Sequence, residues 1–142
     1  MGKLFKDSGD RRDFGTGAVR DMASGKGRFD LVPGISHYLV ACIFEDGCKK
    51  YGNRNWEKGI PIGTFVDSAM RHLEKYKMGM RDEPHLSMAG WNIFCAIWTA
   101  AMIVLGLRPD TLFDLPNNAT KQEVGPLSIY EVEHLKRFGL EI

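Results

Sequence analysis

Apolar residues recur at helical spacing in three stretches separated by glycine-bearing breaks, with a shorter fourth near the end of the chain. Ile35, Tyr38, Leu39, Cys42 and Ile43 stand at i, i+3, i+4, i+7 and i+8 and predict a first helix over residues 35–50, stopped by Gly52 and Asn53. After a loop holding Gly59, Pro61 and Gly63, Thr64 reads as the N-cap of a second helix over residues 64–78, with Val66, Ala69, Met70, Leu73 and Tyr76 as its buried stripe. Asp67, Arg71 and Glu74 share another face of it, which suits a solvated ion-pair ladder as well as a binding surface. A tight connection at residues 79–84 leads to a third helix over residues 85–106, where Gly-Leu-Arg-Pro supplies a stop. Ser128-Ile-Tyr-Glu131 is a capping-box pattern opening a short last helix.

The flanks differ from this centre. Residues 1–34 carry seven glycines and many charges without a sustained period, so they are expected to form an extended arm. Residues 109–142 read as a polar linker followed by the short helix. Without an alternating strand pattern, and with short connections, the fold class is all-α: one domain, a helical bundle completed by oligomerisation.

The third helix is the most apolar element. Residues 91–107 are too few to span a bilayer and are interrupted by Asn92 and Thr99, so a helix buried at a bundle centre or subunit interface is expected instead. His85, Met88, Asn92 and Thr99 align on it, and a polar stripe on so apolar a helix requires partners: another helix, water or a ligand.

Composition narrows the partners. In 142 residues, 19 cations oppose 18 anions for a formal charge of +1, so no global field draws the protein to nucleic acid or a membrane. The three cysteines, Cys42, Cys48 and Cys95, lack paired metal-site spacing and read as reduced thiols of a cytoplasmic protein. Residues 1–10 lack the apolar core of a signal peptide, so the sequon Asn118-Ala-Thr120 is set aside. Gly15-Thr-Gly-Ala-Val-Arg20 superficially suggests a dinucleotide loop, but no strand is expected before it and no helix after it.

Candidate chemistry is concentrated in the middle third. Lys49, Lys50, Arg54 and Lys58 interleave with Tyr51, Asn53, Asn55 and Trp56, a mixture able to hold phosphates and to stack or hydrogen-bond a base. Glu45, Glu74, Asp82 and Glu83, with His72 and His85 nearby, supply groups that can bind a divalent ion once the second and third helices pack antiparallel. Each has a plainer explanation. Glu45 can pair with Lys49, His72 can be a hydrogen-bonded core residue, and Asp82 and Glu83 can favour a helix start by roughly 0.3–1 kcal/mol. Their joint occurrence suits an anionic ligand with a flat ring and a hard metal ion, a combination that a nucleotide presents.

Gly25-Lys-Gly-Arg-Phe-Asp-Leu-Val-Pro33, Gly47-Cys-Lys-Lys-Tyr-Gly52 with Asn55-Trp56, Arg71-His72, and the run from Asp82 through His85 to Asn92 carry a family resemblance. Over about residues 17–116 the chain resembles the phage dATP/dGTP diphosphohydrolases, a MazZ-like branch of the MazG-like all-α nucleoside triphosphate pyrophosphohydrolases. The resemblance implies hydrolysis of a purine deoxynucleoside triphosphate, dGTP or dATP, to monophosphate and pyrophosphate with Mg2+ or Mn2+, and a homodimer or homotetramer. Related phage enzymes are associated with making dGMP for 2-aminoadenine synthesis. On this reading Glu45, His72, Glu74, Asp82 and Glu83 are the expected metal ligands, the four carboxylates among them being catalytic. Lys26, Arg28, Lys49, Lys50, Tyr51, Asn53, Asn55, Trp56, Arg71, His85 and Asn92 are the expected substrate contacts. The chain lacks the broad superfamily's Glu-x-x-Glu and Glu-x-x-Asp pair and has Gly79-Met80 with a shortened connection, which leaves individual ligands open. The alternative is a non-catalytic nucleotide-binding or subunit-interaction protein on the same scaffold.

Overall fold

A computed structural model describes residues 5–116 and 125–142; the sequon and part of the linker lie outside them. Four helices carry the fold: α1 (Gly34–Tyr51), α2 (Ile62–Lys77), α3 (His85–Val104) and α4 (Ile129–Phe138). The all-α expectation holds, with one addition. The arm contains an antiparallel hairpin, β1 (Arg11–Asp13) and β2 (Val19–Asp21), registered Arg11 to Asp21 and Asp13 to Val19. Both strands are short, largely exposed and charged, so they lack the apolar alternation by which a strand is recognised. Gly15-Thr-Gly-Ala-Val-Arg20 therefore does follow a strand, but it turns into a second strand rather than a helix.

α2 and α3 form an antiparallel hairpin. Ile62 at the start of α2 packs with Ala100 and Ile103 near the end of α3, while His72 meets His85 at the other end. Both helices stop in the same way. Gly79 (φ 93°) and Gly106 (φ 71°) take the left-handed conformation, and Met80 N–H and Leu107 N–H reach back to the carbonyls of Lys75 (3.0 Å) and Met102 (2.8 Å). Glycine adopts that backbone without a Cβ clash, and the returning bonds satisfy terminal carbonyls.

α2 begins at Ile62, two residues before the expected Thr64, because its cap comes from elsewhere. Asp114 Oδ1 accepts the Gly63 N–H at 2.8 Å across 51 residues of sequence. A Cβ on Gly63 would lie 2.9 Å from that oxygen, so the cap requires a glycine-sized residue there.

α1 packs on α3 through Val40 against Gly90, where an added Cβ would stand 3.2 Å from Val40 Cγ2. His37 stacks edge-on to Phe94, and Phe44 meets Trp91. No residue of α1 is fully buried; Ile35, Tyr38 and Leu39 of α1 remain exposed, as do Ile93, Phe94 and Ile97 of α3. α3 is long and apolar enough to cross a membrane by length and composition alone. Only 33 % of that stretch is buried within the chain. Its buried face holds His85, Asn92 and Thr99 against α2 rather than a uniformly apolar surface.

Most of the polar stripe on α3 is satisfied locally. Thr99 Oγ1 donates to Cys95 O at 2.8 Å, and Asn92 Nδ2 donates to Met88 O at 2.9 Å. Cys95 is buried between them, and desolvation pushes its thiol up to about 12. α4 opens with the expected capping box, Ser128 and Glu131 bonding reciprocally.

Candidate active site

The turn between α2 and α3 brings His72, Asp82, Glu83 and His85 together. His85 is almost wholly buried, and its Nε2–H donates to Asp82 Oδ1 at 2.8 Å. Asp82 is the acceptor because that hydrogen bond holds its carboxyl below the usual carboxylate range and therefore ionised. His85 Nδ1 faces His72 Nδ1 at 3.0 Å. Two bare lone pairs would repel at that distance, so the contact needs one proton, carried by one ring and accepted by the other. His72 is half-buried; desolvation first, then the charge of His85, lowers its pKa and favours a neutral ring.

Ligand atoms of His72, Glu83 and His85 all lie within 4.8 Å of one another, the one such grouping of histidine, cysteine and carboxylate side chains among the described residues. The expected ligands do not all converge. Glu83 and His72 belong to this group, Asp82 stands behind His85, Glu74 pairs outward with Lys77 at 2.8 Å, and Glu45 is exposed outside it. Two imidazoles and a carboxylate form a mixed nitrogen and oxygen donor set able to hold a divalent ion.

This cluster borders a cleft of about 380 Å³ lined from all three long helices. Asp46, Lys50 and Tyr51 come from the end of α1, Ser68 and His72 from α2, and Glu83, Met88, Trp91 and Asn92 from the turn and α3. Asn92 is almost fully buried; since its Nδ2 bonds Met88 O, its Oδ1 is the atom available to accept from a ligand. Trp91 Nε1 is buried with no acceptor among the described residues. Asp46, Ser68 and Trp91 were not among the expected site residues. Trp91 lies inside the run from Asp82 to Asn92 that carries the family resemblance, a signal that could have marked it.

The remaining expected contacts are dispersed. Lys50 lies over the Tyr51 ring at 5.1 Å, Lys49 approaches Asp46 at 3.8 Å, and Arg71 is exposed and ion-paired to Asp67, as the ladder alternative has it. Lys26 pairs with Asp21 at 3.0 Å and Arg28 with Asp30 at 2.6 Å, both within the arm. Asn53 is exposed and Asn55 half-buried, at the turn after α1. Trp56 is half-buried, edge-on to Trp98 at 4.9 Å and to Phe44 at 5.7 Å, with Arg108 over the Trp98 ring at 5.2 Å. Its ring is part of an aromatic layer joining α1, α3 and the loop.

A four-helix scaffold with an imidazole–carboxylate cluster beside a cleft that carries a lysine and an amide has the parts of a nucleotide hydrolase. Residues 16–104 match the family model for the N-terminal region of dATP/dGTP diphosphohydrolases, and the chain belongs to that family. The family is one of nucleoside triphosphate pyrophosphohydrolases acting on deoxynucleoside triphosphates, and this places the chain among enzymes. No curated protein and no solved structure matches the chain.

Proposed function

We propose that the protein hydrolyses dGTP in preference to dATP, releasing deoxynucleoside monophosphate and pyrophosphate in a reaction that requires Mg2+ or Mn2+. The observation that carries this reading is the convergence on one cleft of Lys50, Tyr51 and Asn92 with His72 and Glu83. Lys50 lines the cleft and neutralises the triphosphate, joined by Lys49 and Arg71 once they leave their exposed ion pairs with Asp46 and Asp67. Tyr51 contacts the base, and Asn92 Oδ1 accepts from its polar edge. Water attacks the α-phosphorus, and the bond to the bridging oxygen breaks so that pyrophosphate leaves. A divalent ion, when bound, offsets phosphate charge and lowers the pKa of water, and His72 and Glu83 are the groups placed to hold it.

The sequence resemblance supports a MazZ-like phage enzyme acting in the host cytoplasm, where its dGMP feeds 2-aminoadenine synthesis. The apolar residues left exposed on α1 and α3 support a homodimer or homotetramer. Incubating the protein with each dNTP and separating the products tests the reading. Pyrophosphate and dGMP, abolished by chelator and restored by Mg2+ or Mn2+, are expected. Nucleoside plus inorganic triphosphate would overturn it.

A further inference from the structure

We infer that Met88 determines the sugar specificity of the enzyme: its thioether side chain is the wall against which the 2′ carbon packs, so that deoxyribose is accepted and ribose rejected. This deepens the proposed function, and it rests on that reading for the α-phosphorus beside His72 and Glu83 and the base beside Asn92. The spacing along α3 carries the inference. His85, which meets His72, and Asn92 stand two turns apart on that helix, about 10 Å at a rise of 1.5 Å per residue. That is the span a nucleotide covers from its α-phosphorus to the far edge of its base. Met88 follows His85 by three residues and precedes Asn92 by four, so it shares their face midway between them.

Met88 is half-buried and lines the cleft, as does Ile43 of α1. A sugar lying along this axis therefore rests on a side chain with no donor and only a weak sulfur acceptor. A ribose 2′-hydroxyl pressed against it loses water without gaining a partner, whereas the 2′-methylene of deoxyribose makes an apolar contact. Ser68 brings a hydroxyl to the same cleft from α2. It answers the 3′-hydroxyl, which both sugars carry, and so adds affinity without discrimination. Rejection of one added hydroxyl by an apolar wall is bounded at about a hundredfold. Met88 holds Asn92 through its main-chain carbonyl, 2.9 Å from Nδ2, so replacing its side chain leaves the base contact in place.

The test compares full-length wild type with Met88→Gln, Met88→Ala, Met88→Leu and Ser68→Ala, each checked for native circular dichroism. Pyrophosphate release is measured from dGTP, GTP and dATP, and equilibrium binding is measured with the α,β-methylene analogues of dGTP and GTP. Wild type should favour the deoxy form by about a hundredfold in both readouts. Met88→Gln offers the 2′-hydroxyl a partner and Met88→Ala admits water to it, so each should narrow that preference to below about tenfold and leave the ratio of dGTP to dATP unchanged. Met88→Leu, apolar and of similar volume, should keep it. Ser68→Ala should weaken both analogues by the same factor. Equal treatment of dGTP and GTP by wild type, a wild-type preference in natively folded Met88→Gln or Met88→Ala, or a preference that shifts only in Ser68→Ala would overturn the assignment. Pyrophosphate released equally from dGTP and GTP would sink it and leave the proposed reaction standing. Deoxy-selective binding that Met88→Gln abolishes, in a protein that releases no pyrophosphate, would do the reverse.

Discussion

Replacing Asp114 with alanine removes the acceptor that caps α2, whose loss was invisible to any local reading of residues 61–64. The bond is 2.8 Å to the N–H of Gly63, the second helical residue, and among the described residues no other side chain caps the start of the helix. A lost cap costs about 1 kcal/mol, and removing a negative charge from a helix N-terminus adds about 0.3 kcal/mol at an exposed position such as this. The sum, about 1.3 kcal/mol, lowers the melting temperature by about 5 °C for a chain of this size. Asp114→Asn keeps an acceptor and should lose less than half as much.

Gly63→Ala provides the internal check. Its Cβ would sit 2.9 Å from Asp114 Oδ1 and push the carboxylate off, so in the wild-type background it should be neutral or destabilising. In the Asp114→Ala background the clash is gone, and alanine should stabilise the helix by up to about 1 kcal/mol. Urea midpoints of the four proteins in this double-mutant cycle should give a coupling of about 1 kcal/mol. Additive effects, or a melting-temperature drop under about 1 °C for Asp114→Ala, would refute the cap.

Three other outcomes follow from the geometry. Trp91→Phe should change stability by less than about 1 kcal/mol, because lost ring contacts oppose relief of an unpaired buried N–H, yet raise KM for a purine dNTP by up to about tenfold; an unchanged KM would show that the indole donates to nothing in the complex. With a folded pKa lowered from 6.5, His72 disfavours its charged form: stability should hold above pH 6.5, fall as pH drops below it because the unfolded chain takes up the proton first, and level off beneath the folded value. His72→Gln should flatten that fall between pH 7.5 and 5.5, a window above the 3.8 below whose reference Asp82 titrates, and equal slopes in urea titrations would count against it. Light scattering at micromolar concentration should give a dimer or larger species, and Ile97→Glu, placed on the exposed apolar flank of α3, should shift it towards monomer; a strictly monomeric wild type would remove the reason given for that flank.

Helical periodicity located α1, α2 and α3 but not their buried faces: α2 buries Ile62, Phe65 and Ala69 while Met70, Leu73 and Tyr76 of the expected stripe are exposed, and Ile35, Tyr38 and Leu39 of α1 are exposed too, because the face a helix buries is set by what packs against it. The stops at Gly79 and Gly106 and the Ser128 box were equally legible, since each is a contact between near neighbours in sequence. The motifs over residues 16–104 likewise carried the family without any coordinates. The start of α2 was misplaced by two residues because its cap comes from Asp114, and the arm hairpin went unseen because backbone pairing holds charged strands that bury almost nothing. Residue type and the expected antiparallel packing of α2 and α3 suggested five metal ligands, but side-chain direction separates them. Helical geometry turns Glu74 towards Lys77, while the antiparallel return of α3 sets His85 against His72 and Glu83. Spacing along a chain says which side chains share a face; only packing between elements says which faces meet.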